Sequence, residues 1–275
     1  MHVRLSMRSC QRLTIATALI PALCLAGDAD VPKSSAQPAS GEVRIIHADL
    51  DNDSAAGLQI YVQEGRKKIE GFFSQPFKKP FDVEIFPDRA ALDEYFRKRW
   101  NAPKTEPWMV ASGVADKLVI LSPRVWKTQA AEHDPADRDH IRDLIAHELV
   151  HVYHAQYNPR PDFDGMDDLG WFVEGLAVYV SGQLERSPHR TGAAEALKAK
   201  KAPAKLADAW SGRYRYGVSG SMAEFADVRN GRETLKKLLP VVSNDEAMKV
   251  LKTTEQEFLQ AWKASVLPEP PVKSK

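Results

Sequence analysis

Cysteine is nearly missing from this chain: two of its 275 residues are cysteine, Cys10 and Cys24, and both lie close to the N-terminus. From residue 25 onward there is no thiol, which excludes a disulfide scaffold and a cysteine-ligated zinc site together. Excess charge is missing too. The 38 Lys and Arg balance 37 Asp and Glu, so neither the basic footprint of a nucleic-acid-binding domain nor the profile of an acidic disordered chain is present. A membrane-spanning helix needs roughly 20 consecutive apolar residues. The best candidate, "LTIATALIPALCLAG", is shorter and is interrupted by Pro21.

That run makes sense with what precedes it. "MHVRLSMRSCQR" supplies Arg4, Arg8 and Arg12 without an acid, and the apolar stretch closes on small residues, the pattern of a secretory signal peptide over residues 1–26. Leu23, ahead of Cys24, is too large for the lipid-attachment alternative. A secreted or periplasmic protein is expected. Removing the segment takes away three arginines and no acid, moving the formal net charge from +1 to −2. Residues 27–42, "GDADVPKSSAQPASGE", have no hydrophobic period and read as a flexible linker.

With 43% hydrophobic residues the remainder can fill a sizeable core, and a single domain is expected over residues 43–268, with a short tail over 269–275. Its first half, residues 43–137, reads as α/β: a strand at "EVRIIHADLD", a helix over "SAAGLQIYVQEGRKKIEGFF", a strand at "PFDVEIFPD", and a helix capped by Asp88. "WMVASGVADKLVILSPRVW" reads as a hairpin around "SGVADK". Residues 138–268 read as helical, in segments 138–156, 167–183, a looser 192–210, 220–228, 232–239, 245–251 and 254–265, punctuated by prolines. The overall expectation is α+β, a small mixed sheet followed by a mostly helical half, with no internal repeat.

The chemistry concentrates in "IRDLIAHELVHVYHAQY". His147, Glu148 and His151 form H-E-x-x-H, and residues four apart lie one above the other on a helix, so the two imidazoles converge on one point. Neutral imidazole suits zinc, and Glu148, beside the first ligand, is placed to take a proton from a water that the ion activates. His154 lies one turn too far to share that ion and is expected to be a bystander. A catalytic zinc usually has three protein ligands. The metzincin pattern would need glycine and histidine where His154 and Tyr157 stand, so the third ligand is sought elsewhere. Glu174, an acid inside the apolar run "DDLGWFVEGLAVYVSGQ", would be costly to bury without a cation.

These motifs resemble the gluzincin metallopeptidases, most closely the secreted bacterial peptidase-MA-like proteins. "HELVH" and "WFVEGLAVYVSG" match that group's two helical motifs, the second through its W-x-x-E-G-x-A core, with "LSPRVW" before and "YRYGVSGSMAEFADVRNG" after. The similarity spans roughly residues 43–267. It implies a zincin-like fold, one zinc ion held by His147, His151 and Glu174, Glu148 as general base, and hydrolysis of a peptide or protein substrate. Two departures stand out: 22 residues separate His151 from Glu174, somewhat more than in the best-known gluzincins, and Val178 occupies the place of an aspartate that orients a histidine in thermolysin-like enzymes. Asp143, one turn before His147, is a candidate substitute. Related enzymes use a tyrosine after the glutamate helix to stabilise the oxyanion; Tyr216 is the first candidate and Tyr214 the second. Trp171 and Phe172 are expected to pack, and the "WMVASGVADKLVIL" strand is a candidate cleft edge. A non-catalytic zinc-binding protein and a metal-dependent hydrolase of a non-peptide substrate are the competing readings. No amine-capturing acidic motif precedes "HELVH", which favours endopeptidase or oligopeptidase action over aminopeptidase action.

Overall fold

The hairpin, the H-E-x-x-H helix and the helix that carries Glu174 come together because three apolar surfaces share one core. The computed structural model describes residues 43–267 apart from 103, 131, 132 and 187; the signal and linker expected over 1–42 and the tail over 269–275 lie outside the described residues. The architecture is mixed α and β, with a four-stranded sheet in the N-terminal half. Strands β1 (Val43–Ile46), β2 (Phe81–Phe86), β3 (Ala111–Val114) and β4 (Lys117–Leu121) are ordered β1-β2-β4-β3. β1 and β4 run parallel to β2, and β3 returns antiparallel to β4 with Gly113 opposite Leu118. β4 is flanked on both sides, and its "LVIL" run is buried, as an interior strand requires. The expected hairpin is therefore β3–β4, with β3 at the edge.

Helices α1 (Asn52–Phe73), α2 (Arg89–Trp100) and the short α3 (Trp126–Gln129) complete the first half. The buried residues of α1, including Leu58, Val62, Gly65, Ile69 and Phe73, recur at three- and four-residue intervals and form one apolar stripe. Asp88 caps α2 by accepting from the Ala91 N–H at 2.8 Å. Next comes α4 (Arg138–Tyr157), capped by Asp137 through the His140 N–H at 2.9 Å. From Ile145 to Gln156 every residue of α4 is buried, because α1, α5 (Gly170–Ser181) and the sheet edge enclose it. Gly65 lets α1 approach closely: a Cβ there would stand 2.9 Å from the Leu149 side chain.

The remaining helices are α6 (His189–Lys198), α7 (Arg215–Asn230), α8 (Arg232–Leu238), α9 (Asn244–Leu251) and α10 (Glu255–Val266). Three boundaries differ from the sequence expectation. A 3-10 turn, Asp167–Leu169, precedes α5, which stops at Gly182 in the left-handed region (φ 93°). The looser segment expected over 192–210 is the earlier-starting α6 followed by irregular chain around Pro203 and a 3-10 turn, Leu206–Asp208. The helix expected from residue 220 begins at Arg215, so "RYGVS" is helical as well. Its glycines serve close packing. A Cβ on Gly217 would lie 2.4 Å from the His189 carbonyl oxygen, and on α5 a Cβ at Gly175 would lie 2.3 Å from that of Ser219.

Candidate metal centre

Helix α4 supplies His147, Glu148 and His151, and α5 supplies Glu174 from the adjoining surface. The Nε2 atoms of His147 and His151 are 3.1 Å apart, and Oε2 of Glu174 lies 3.4 Å from the first and 3.5 Å from the second. Donors held at about 2.0–2.1 Å around one tetrahedral zinc would be about 3.3 Å from each other, so the spacing and the N, N, O donor set both fit that ion. Gly175, next to Glu174, is where α5 touches Ser219 of α7, and the two helices could not lie this close with a side chain there.

The orientation of His147 has a visible cause. Its Nδ1–H donates to Oε1 of Gln183 at 2.9 Å, which leaves the Nε2 lone pair directed at the other two donors. Nδ1 of His151 is buried and has no hydrogen-bond partner among the described residues. Burial works against charge on His151, but Glu174 and Glu148 outweigh it and raise its pKa. For Glu174 burial likewise opposes ionisation, and His151 and His147 overcome this and hold the carboxyl well below the usual carboxylate range. The pair thus favours a Glu174 carboxylate facing a protonated His151.

β3 passes directly over this turn of α4. A Cβ on Gly113 would sit 2.2 Å from the Glu148 carbonyl oxygen and 3.3 Å from Cβ of His151, so only glycine permits the contact. Tyr216, in the first turn of α7, has its ring 5.0 Å from that of His189 and 4.9 Å from that of Trp210. Burial raises the Tyr216 pKa, Arg215 opposes the rise, and Glu174 and Glu148 add to it. Tyr214 does not turn this way: its hydroxyl is engaged by Arg213, whose guanidinium lies 4.4 Å from the ring centroid.

Other sequence candidates are placed apart from the group. Asp143 is drawn into an ion pair with Arg186, so the residue that supports His147 is Gln183 and not the aspartate. No local pattern marks Gln183; it is 36 positions from His147 and its role depends on how α5 ends. His154 is buried with its Nε2–H donating to the Leu239 carbonyl at 3.1 Å, and its ring lies against Phe163 and Phe172. Trp171 packs as expected, its indole N–H donating to Asn244 Oδ1 at 2.7 Å and its ring 5.2 Å from Phe258. His189 was not singled out by the sequence, yet burial and then His147 depress its pKa, which puts it in the same electrostatic neighbourhood.

A scan against protein-family models finds no match for this chain, and a search of curated proteins finds none either.

Proposed function

We propose that the protein is a zinc-dependent peptidase of gluzincin type with a zincin-like fold, in which His147, His151 and Glu174 hold one zinc ion. The observation that carries the reading is the convergence of two imidazole nitrogens and a carboxylate oxygen, all within 4.8 Å of one another, on the helical turn that also bears Glu148. Bound zinc would supply Lewis acidity, polarising a carbonyl and making water acidic enough to attack it. Glu148 takes a proton from the attacking water and delivers it to the departing amine. Tyr216 donates its O–H to the carbonyl oxygen as negative charge develops there, and its burial beside two carboxylates keeps the phenol protonated for that purpose.

The preference for peptide over other acyl substrates rests on β3. Among the described residues it pairs with β4 alone, and at Gly113 its backbone runs against the Glu148 carbonyl, so an extended chain added along that edge would lie beside the turn that bears the general base. Secretion or residence in a periplasm remains part of the proposal, on the strength of the N-terminal sequence. Among the described residues no helix is long and apolar enough to cross a membrane. Replacing Glu148 with Gln keeps the shape of the site and removes the base. Zinc content should stay at the wild-type level while kcat falls by about 10³-fold on peptide substrates; full activity in that variant would contradict the mechanism.

A further inference from the structure

Several cations of the molecule are paired. Arg186 pairs with Asp143, Arg190 with Glu224, Arg232 with Asp227, and Lys68 donates to the Ser181 carbonyl. Arg215 differs from them. Among the described residues no carboxylate pairs with it, and its Nε is buried without a hydrogen-bond partner. Its guanidinium lies over two aromatic rings instead, 5.5 Å from the centroid of Trp210 and 5.3 Å from that of Tyr216, whose hydroxyl it approaches as a hydrogen-bond donor. The first turn of α7 contains no acidic residue that could neutralise it.

This unpaired cation is held beside the proposed chemistry by rigid contacts. Trp210 is packed against the start of α5, where a Cβ on Gly170 would stand 2.9 Å from the Trp210 Cβ, one turn before Glu174. Tyr216, the neighbour of Arg215, is fixed between Trp210 and His189. A planar guanidinium stacked on aromatic faces retains its edge N–H groups for a planar anion, and a carboxylate matches their fork. An indole and a phenol supply a platform but no counter-charge.

We propose that Arg215 receives a substrate carboxylate, so that the preferred peptides carry one close to the scissile bond, either as a free C-terminus or as an Asp or Glu side chain. The proposal rests on the peptidase reading for turnover, but the binding step does not require it. Arg215 is a specificity-determining residue here, and the proton transfers stay with Glu148.

The test compares one peptide core in four forms: free C-terminal acid, C-terminal amide, and Asp or Asn beside the scissile bond. In the wild-type protein kcat/KM for the acid form, the Asp form or both should exceed that of the neutral counterpart by about 10–100-fold, the worth of a charged hydrogen-bonded pair. Which of the two pairs shows the difference identifies the source of the carboxylate. Arg215→Gln should bring that ratio close to one, and Arg215→Lys should restore part of it. A wild-type ratio of one, or a ratio that survives Arg215→Gln, overturns the proposal. Calorimetric binding of the same peptides to Glu148→Gln protein separates this from the peptidase reading: preference for the acid forms without any wild-type hydrolysis supports Arg215 and sinks the peptidase, whereas hydrolysis without preference does the reverse.

Discussion

His147 and His151 share α4 with His154, and all three are buried, but the elements packed against them differ. At the first two, α5 brings Glu174 within 3.4 and 3.5 Å of the imidazole nitrogens. At the third, Phe163 and Phe172 close in, and among the described residues Nε2 meets the Leu239 carbonyl while Nδ1 has no hydrogen-bond partner. Burial penalises charge at His151 and His154 alike. At His151 two carboxylates reverse the penalty, whereas at His154 burial and the nearby His151 act in the same direction and push its pKa down to about 3. A buried histidine is a neutral spacer by default, and a facing carboxylate turns it into a group that can hold a cation.

The contrast can be broken most severely by removing the carboxylate. In Glu174→Ala the environment of His147 and His151 should come to match that of His154, and zinc affinity should fall by more than about 100-fold, beyond the usual effect of losing an outer partner. Titration against a competing chelator reads this directly, and wild-type affinity in the variant would deny Glu174 its role. A milder change is Gln183→Ala, which frees the His147 ring without removing a donor. The expected loss of zinc affinity is about 10–100-fold, with Gln183→Glu retaining the hydrogen bond and most of the affinity; no change on loss of the amide would mean that packing alone orients the ring.

Smallest is the effect of His154→Gln, which keeps a donor for the Leu239 carbonyl and should leave zinc affinity within about two-fold. Its signature is in acid stability. The folded pKa of His154 lies below the unfolded value, so the unfolded chain binds the extra proton, and stability is complete above about pH 6.5 and is lost as pH falls below it. In chelated protein, the wild type should lose about 2 kcal/mol more than the variant between pH 6.5 and pH 5. Denaturant unfolding at the two pH values measures it, and equal losses would show that His154 is not the acid-sensitive group.

How much of this was legible depends on the range of the interaction. H-E-x-x-H is a local pattern, and helical geometry alone aligns His147 with His151. Glu174 was conspicuous because an acid stood in an apolar run, and the hairpin was marked by two β-rich segments around a short turn. The start of α7 was not legible. Gly217 looks like a loop residue in one dimension, and its purpose, close contact with His189 and Gly192 of α6, exists only in the folded protein. Gln183 and Arg215 belong to the same class. Each is ordinary by type, and each becomes informative through what it touches or through the partner it lacks. Asp143 shows the converse, since a sensible local position was overridden by the stronger attraction of Arg186.

His147, His151 and Glu174 are proposed to form one zinc site. Elemental analysis of purified protein after equilibration with zinc and removal of the excess tests it most directly. One zinc per chain is expected in the wild type and in Glu148→Gln, and close to none when His147 and His151 are both replaced by alanine in protein that still folds. A wild-type chain that retains no zinc, or a double variant that retains as much as the wild type, would contradict it.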